Sequence, residues 1–376
     1  MIYFDNASTT SVHPEVARVY GHLVSDLYGN PDSLHALGRR SGRLLEQARE
    51  RIAASIGVQP QEILFTSGGS EANSLAVAGY ALANRKRGRH IITTNVEHSS
   101  VAHAADWLES QGFDVQRLPV NADGSVTARQ VREAMRPDTL LVSIMHVNNE
   151  TGAVNPLREI ADVVHAHPTA VFHADLVQSF GKEDIPWESL DLGSVSAHKL
   201  HGLKGSGFLY KRKNLKLQPL LFGGQQEQGM RGGTENAPAD IVLAKTVRLA
   251  LESQAKDRER ITELNRMLQK ELGALPGVKI QSPENASPFI LNVSFAQITS
   301  EVLMNALDAR GICVSAKSTC ESRSSNESEV LKAMGRPVSE TTHAIRLSFS
   351  GQNTLEEGKR FIEETKEILN QYGLPL

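Results

Sequence analysis

Cysteine is scarce in this chain, whose 376 residues include only Cys313 and Cys320. Two cysteines this close together do not suggest a disulfide scaffold, and their use predicts a reducing, cytoplasmic location. An excess of either charge is also missing, since the formal net charge is −3. A chain with this charge balance offers no electrostatic reason to bind nucleic acid or an anionic membrane directly.

Long hydrophobic runs are absent as well. No apolar stretch approaches the roughly 20 residues that a membrane-spanning helix needs. The opening segment, MIYFDNASTT, has neither the basic nor the apolar part of a signal peptide, so we expect none. A composition of 40% hydrophobic and 22% charged residues is that of a globular protein, and the length favours two domains.

Short apolar runs alternate with helical patterns over the first two thirds of the chain. This alternation, with strands apolar on both faces, predicts an α/β domain with a mostly parallel sheet covered by helices. We place this large domain at residues 14–245. The predicted strands lie at 62–66, 90–94, 140–146, 170–175, 194–198 and 207–210.

The pattern changes after the segment RGGTENAPAD. A long helix over 239–272 is followed by isolated strands, FILNVSF and HAIRLSF, and by further helices. We expect a smaller α+β domain made of residues 246–376 together with 1–13. Cys313 falls in an apolar strand of this domain and is expected in its core.

Two candidate reactive residues follow predicted strands of the large domain. Asp175 ends the run TAVFHAD, and ligands of open α/β sheets bind beyond the carboxyl ends of the strands. An aspartate there is also a favoured helix N-cap. Lys199, in SAHKLHGLKG, could be a desolvated amine that reacts with a carbonyl group, or simply a surface lysine in a glycine-rich loop.

The segment TSGGSEAN lies between a predicted strand and a helix. Gly69 allows close backbone approach, and the amides from Ser70 onward open a helix that can bind an anion. An ordinary turn capped by Ser70 is the simpler interpretation. The segment also nearly matches the G-x-S-x-G motif of serine hydrolases, although its fifth residue is Ala72.

Two further residues complete a possible site. His98 follows a strand and could stack on a planar ligand or move protons, or it could be an exposed loop histidine. Arg346, in the alternating strand HAIRLSF, could bind a carboxylate or lie on an exposed face. No acidic or cysteine partner accompanies His198 and His201 at metal-ligand spacing, so we expect no metal. Together these parts are what a pyridoxal phosphate enzyme needs to act on an amino acid.

Several longer motifs carry a family resemblance over nearly the whole chain. EHSSV, MHVNNETG, HADLVQSFGK, SAHKLHGLKG and RGGTEN, in this order, resemble those of cysteine desulfurases of the NifS/IscS type within the class V aminotransferases. The resemblance implies a fold-type I homodimer with a seven-stranded sheet and bound pyridoxal phosphate. It also implies removal of sulfur from L-cysteine, with release of alanine.

The resemblance further implies a role for each matching residue. Lys199 binds the cofactor covalently, Asp175 pairs with its pyridine nitrogen, His98 stacks on its ring, and Lys199 and His98 carry protons. Gln178 contacts the phenolic oxygen of the cofactor. The phosphate is bound by Gly69, Ser70, Ser196 and His198. Thr234 contacts the phosphate of the cofactor in the other subunit. Asn149 and Arg346 bind the substrate.

Cys320 matches the family's nucleophile, which receives the sulfur as a persulfide and passes it to an acceptor protein for iron–sulfur cluster assembly or tRNA thiolation. The surrounding text, SAKSTCESRSSNESEV, departs from the family pattern at Lys317, Glu321 and Glu327. Glu321 disfavours a thiolate, whereas Lys317 and Arg323 favour it.

Other functions stay open at the level of sequence. A selenocysteine lyase or another enzyme of the same class would use most of the same residues. A serine hydrolase built on Ser70 and a non-catalytic scaffold homologue are further alternatives. Among these, the desulfurase accounts for the largest number of the motifs.

Overall fold

The computed structural model describes residues 1–316 and 327–372. Its strands are β1 (Ile2–Tyr3), β2 (Ile63–Thr66), β3 (His90–Thr94), β4 (Asp114–Leu118), β5 (Thr139–Ser143), β6 (Val171–Asp175), β7 (Leu192–Ser196), β8 (Gly207–Lys211), β9 (Val278–Ile280), β10 (Ile290–Phe295), β11 (Ile312–Cys313) and β12 (Ala344–Ser348).

The α-helices are α1 (Pro14–Asp26), α2 (Ala36–Ile56), α3 (Gly69–Ser74), α4 (Tyr80–Asn84), α5 (Ser99–Ser110), α6 (Ala128–Ala134), α7 (Leu157–His165), α8 (Ala237–Gly273), α9 (Ser300–Asp308), α10 (Glu329–Ala333), α11 (Val338–Thr341) and α12 (Leu355–Gln371). A π-helical turn, Leu75–Gly79, joins α3 to α4. None of the helices in the described part of the chain is long and apolar enough to cross a bilayer.

The large sheet has seven strands in the order β2-β8-β7-β6-β5-β3-β4. The neighbouring strands from β7 to β4 are all parallel, and β8 runs antiparallel to both β7 and β2. Buried apolar clusters cover both faces of this sheet. The predicted α/β fold with a mostly parallel sheet is therefore confirmed, and β4 is a strand that the sequence interpretation missed.

A smaller antiparallel sheet, β12-β10-β9, has its own apolar core. The first residues of the chain join this core, because Phe4 is fully buried in it and β1 pairs with β11. The segment at the start of the chain thus contains a short strand, β1. Helix α8 contributes buried residues to both cores, with Val247 in one and Ile261 in the other.

Candidate active site

A cavity of about 170 Å³ opens at the edge of the large sheet where its parallel strands end. Strand β2 shares this direction with β7, because each is antiparallel to β8. The loops after β2, β3, β5, β6 and β7 therefore converge on one place. The cavity is lined by Ser8, Gly69, Ser70, Asn73, His98, Ser100, Met145, Val147, Asn149, Asp175, Val177, Gln178, Ser196, His198 and Lys199.

The lining contains most of the residues that the sequence singled out, and three are not in it. Arg346 lies behind the wall, hydrogen-bonded to Ser8 and to the backbone of Asn149. Thr234 is exposed on the loop before α8. Cys320 lies outside the described residues.

Asp175 ends β6 and is only 6% exposed. Its Oδ2 accepts a hydrogen bond from Nδ2 of Asn73 at 2.7 Å, and its Oδ1 accepts one from the backbone N–H of Val177 at 2.9 Å. Two donors thus fix the orientation of the carboxylate within the cavity wall.

Lys199 ends a short 3₁₀ turn, Ala197–Lys199, that directly follows β7. Its Nζ donates to the backbone carbonyl oxygens of Ala7 and Ser8, at 2.5 and 2.7 Å. The N-terminal segment of the chain therefore positions the amine in the cavity. These contacts with residues 7 and 8 could not be predicted from any local motif.

The backbone at the start of α3 packs very closely against its neighbours. A Cβ added at Gly69 would lie 2.7 Å from Cγ2 of Val177, and one added at Gly207 would lie 2.8 Å from Cα of Gly68. Gly68 has a φ of 140°, which L-residues with a side chain rarely adopt. The glycines thus allow the backbone of the loop to lie against the cavity, where the N-terminal amides of the helix face an incoming anion.

A hydrogen-bonded chain joins His98 to Asp175. His98 caps α5, and its Nδ1 accepts from the backbone N–H of Ser100 and lies 2.8 Å from Oγ of Ser100. Nδ2 of Asn73 donates to that Oγ at 2.9 Å and to Asp175. Because Nδ1 accepts a backbone N–H, the neutral imidazole carries its proton on Nε2.

Sequence reasoning missed Asn73 and Ser100. A signal was available, since Asn73 lies one helical turn after Ser70 in the segment TSGGSEAN and therefore on the same face of the helix. Oδ1 of Asn73 is buried and has no hydrogen-bond partner among the described residues.

His198 is held neutral. Burial first, and then the charge of Lys199, lower its pKa to about 4. Nδ1 of His198 lies 3.1 Å from Oγ1 of Thr9. At neutral pH this residue can therefore offer a hydrogen bond to an anion, but not a positive charge.

Gln178 has an amide oxygen without a partner. Its Nε2 donates to the carbonyl oxygen of Ala7 at 3.0 Å, whereas its buried Oε1 has no hydrogen-bond partner among the described residues. Buried amide groups are rarely left in this way unless a ligand or water completes them. The cavity thus contains polar groups whose hydrogen-bonding capacity is unused.

Arg346 is 1% exposed in the middle of β12. Its guanidinium donates to the carbonyl of Asn149 at 2.9 Å, to Oδ1 of Asp5 at 2.9 Å and to Oγ of Ser8 at 2.7 Å. Nε has no partner among the described residues. The carboxylate of Asp5 therefore pairs with the guanidinium of Arg346. No local motif could predict this contact, because the two residues are far apart in sequence.

Cys313, in β11, is half-buried rather than part of the core, so this expectation was wrong. It lies on the two-stranded β1-β11 sheet, where it pairs with Tyr3. Burial raises the pKa of its thiol, with a smaller contribution from Asp308. A thiol of this kind is a poor nucleophile at neutral pH.

Comparison with known proteins identifies the family. The class-V aminotransferase model matches residues 2–361. The putative cysteine desulfurase IscS 1 of Bacillus subtilis (strain 168) is 42% identical over 376 residues, which cover 98% of this chain and 99% of that protein. The chain therefore belongs to the class-V aminotransferases and, within them, to the NifS/IscS family of cysteine desulfurases.

Solved structures agree with this assignment. A NifS-like protein matches with a TM-score of 0.92 at 36% identity, over 98% of this chain and 99% of that one. A structure described as SspA in complex with cysteine matches with a TM-score of 0.82, also at 36% identity, over 93% of this chain and 99% of that one. The predicted family resemblance is thus confirmed.

Proposed function

We propose that this protein is an L-cysteine desulfurase that uses pyridoxal phosphate, releases alanine and passes the sulfur through Cys320 to an acceptor protein. One observation carries the proposal. The amine of Lys199, the carboxylate of Asp175 and the imidazole of His98 all line one cavity at the carboxyl edge of the sheet. This combination suits an amino-acid substrate and a carbonyl cofactor.

The residues present fit pyridoxal phosphate. Gly69, Ser70, Ser196 and His198 would hold the phosphate group, since all four line the cavity and the missing side chain at Gly69 lets its backbone pack closely against Val177 and Ser196. Asp175 would face the pyridine nitrogen, His98 the ring and Gln178 the phenolic oxygen. The unpaired Oε1 of Gln178 supports this fit. When bound, the cofactor withdraws electrons from the α-carbon of the substrate.

The protein's own groups move the protons. Lys199 provides an amine held over the cavity by the N-terminal segment, and we assign it the α-proton of the substrate. His98 can donate from Nε2 because its Nδ1 is an acceptor. Asp175 stays oriented by Asn73 throughout the reaction.

Arg346 and Asn149 would hold the substrate. A guanidinium binds a carboxylate well, and Nε of Arg346 is available for such a bond. Its other nitrogens are already bonded to Asp5, Ser8 and Asn149, which fixes the orientation of the group. The substrate carboxylate would then approach beside Ser8 and Asn149, which line the cavity.

Cys320 would perform the sulfur transfer. Its thiolate attacks the substrate sulfur, the Cβ–S bond breaks, and the electron pair goes to Cβ, which takes a proton to become the methyl group of alanine. The product on the protein is a persulfide. The acceptor would be a protein of iron–sulfur cluster assembly or of tRNA thiolation, and we expect the reaction to take place in the cytoplasm.

A homodimer would complete the site through Thr234. Exposed apolar side chains lie near its loop, with Phe222 82% exposed and Tyr28 and Leu34 also exposed. A hydrogen bond between Gln226 and Asp32 joins these two segments. Exposed apolar groups of this size are typical of protein interfaces. The contact would bring Thr234 to the cofactor phosphate of the partner.

The proposed activity has a direct test. The purified protein, reconstituted with pyridoxal phosphate, should release alanine and sulfide from L-cysteine in the presence of a thiol. Cys320→Ala should keep the visible absorbance of the bound cofactor and lose this activity. An unchanged rate after alkylation of the thiols would favour a transaminase, and faster turnover of selenocysteine than of cysteine would favour a selenocysteine lyase. Bound cofactor without turnover, even with an acceptor, would favour a scaffold.

A further inference from the structure

A second cavity, of about 420 Å³, lies behind Lys199, which borders it as well as the candidate active site. It is enclosed by the start of α1, the middle of α8, the turn after β6 and the loop after β12. Leu200, Leu249 and Phe289 give it an apolar wall. Its volume is within the range of small-molecule sites in proteins.

The inner wall of this cavity carries a buried amine. Lys182, in the segment QSFGK, is only 7% exposed and lines the cavity. Its Nζ makes no hydrogen bond or ion pair with the residues that the structure describes. Its aromatic neighbour is Phe289, with the ring centroid 5.9 Å from Nζ. Lysine is rarely this buried without a partner, and a bound ligand would supply one.

The surroundings of Lys182 leave its charge without compensation. Burial first, and then the guanidinium of Arg346, lower its pKa to about 8, so the ammonium form still predominates at neutral pH. Arg346 is itself paired with Asp5. A buried ammonium without a counter-ion is costly, and a bound anion would offset that cost.

The amine of Lys199, which also borders this cavity, donates to the carbonyl oxygens of Ala7 and Ser8. The other charged side chains limit what the cavity can accept. Lys256 and Glu252 are exposed on α8, and Glu252 is bonded to Arg248. The Asp257 carboxylate packs against the backbone of Gly351. One buried cation with acids near the opening suits a single negative charge better than a phosphate or a dicarboxylate, and the apolar wall suits a short aliphatic chain.

We propose that this second cavity binds a small aliphatic monocarboxylate, with Nζ of Lys182 donating to the carboxylate and the alkyl group packed against Leu200, Leu249 and Phe289. The ligand would lie against the segment that carries Lys199. The proposal does not depend on the desulfurase activity, because the charge and shape of the cavity carry it alone.

Protection of Lys182 from a small neutral reagent tests this site. The protein with bound cofactor is acetylated briefly with acetic anhydride, with or without propionate, and each lysine is quantified by peptide mass spectrometry. We expect propionate to slow acetylation of Lys182 at least severalfold, and to leave the exposed Lys86 unchanged. Propanol, which has a similar shape and no charge, should not protect Lys182. Equal labelling of Lys182 with and without propionate, or equal protection by propanol, would overturn the proposal.

A matched pair of variants provides an independent measurement. Binding of radiolabelled propionate is counted by equilibrium dialysis for the wild type, Lys182→Met and Lys182→Arg. The methionine is unbranched like lysine, one atom shorter and uncharged, so this variant should lose one bound propionate per chain. The arginine keeps the charge and should retain it. The site is refuted if the methionine variant binds as much as the wild type.

Discussion

The side-chain amide of Asn73 donates to both Oδ2 of Asp175, at 2.7 Å, and Oγ of Ser100, at 2.9 Å. It thereby connects the carboxylate proposed to face the pyridine nitrogen with the histidine proposed to face the ring. Asp175 ends β6 and His98 lies in the loop after β3, and these two strands are not neighbours in the sheet. Asn73 is therefore a positioning residue for both.

Substitution of Asn73 should weaken cofactor binding, and a charged replacement should weaken it more than a neutral one. Asn73→Ala removes a hydrogen bond to a charged group, which is worth about 1.5–3 kcal/mol, and should weaken cofactor affinity by roughly one to two orders of magnitude. Asn73→Asp should be worse, because a second carboxylate beside Asp175 raises the pKa of the pair. Affinity is measured by absorbance titration with pyridoxal phosphate.

The matched control for Asn73 is Ser67→Ala, which changes an exposed residue in the loop before α3 that does not line the cavity. It should bind the cofactor as the wild type does. If Asn73→Asp bound the cofactor more tightly than Asn73→Ala, the positioning role would be wrong.

Position 69 should tolerate no side chain larger than that of glycine unless Val177 is replaced by a smaller residue. The added Cβ of Gly69→Ala would lie 2.7 Å from Cγ2 of Val177. Overpacking of this kind costs about 1–3 kcal/mol, so cofactor affinity should fall about tenfold or more. Val177→Ala removes the clashing methyl, and the double variant should recover most of the affinity. A double variant as weak as Gly69→Ala would show that Val177 is not the cause.

The buried pair of Arg49 and Glu227 should stabilise the segment before Thr234. Both side chains are almost fully buried and form two hydrogen bonds, at 2.7 and 2.6 Å. Glu227→Ala leaves the buried Arg49 with only the exposed carboxylate of Glu46 as an ionic partner, and loss of a buried partner costs about 3–5 kcal/mol of unfolding free energy. Urea unfolding measures this loss. The double variant Arg49→Met/Glu227→Leu should be considerably more stable than Glu227→Ala, and an equal loss in both would contradict the argument.

His173 should make the protein less stable in acid. Burial lowers its pKa from 6.5 to about 3, so the folded state holds the neutral ring. Stability from this group is fully present above pH 6.5 and is lost as the pH falls toward 3, since the unfolded chain gains the proton first. His173→Gln should therefore lose less stability between pH 7 and pH 5 than the wild type does.

Urea midpoints at several pH values provide the measurement for His173. The control is His103→Gln, which changes an exposed histidine and should follow the wild type. A His173→Gln profile parallel to that of the wild type would rule out this contribution.

Much of the fold was predictable because its signals are local. The runs at 90–94 and 170–175 are apolar, bounded and nearly coincide with β3 and β6. Strand β4 was missed because its sequence, DVQRL, places exposed polar residues on a strand at the edge of the sheet. The domain boundary at residue 245 stays a prediction, since α8 continues through it without a break.

The reactive groups of the site could be predicted from the sequence, but the residues that position them could not. Lys199 and Asp175 follow recognisable strands, so their convergence could be expected. Asp5, which lies 341 residues before Arg346, meets it only through tertiary packing. The roles of Thr234 and Cys320 rest on family resemblance, as do those of the cofactor contacts.

Transfer of sulfur to Cys320 can be observed directly by mass spectrometry. The protein reconstituted with pyridoxal phosphate is mixed with one equivalent of L-cysteine without reductant, and its peptides are weighed by mass spectrometry. We expect one added sulfur atom on the peptide that contains Cys320, which dithiothreitol removes, and no added sulfur in Lys199→Ala. Stoichiometric release of alanine with no sulfur on that peptide would contradict this expectation.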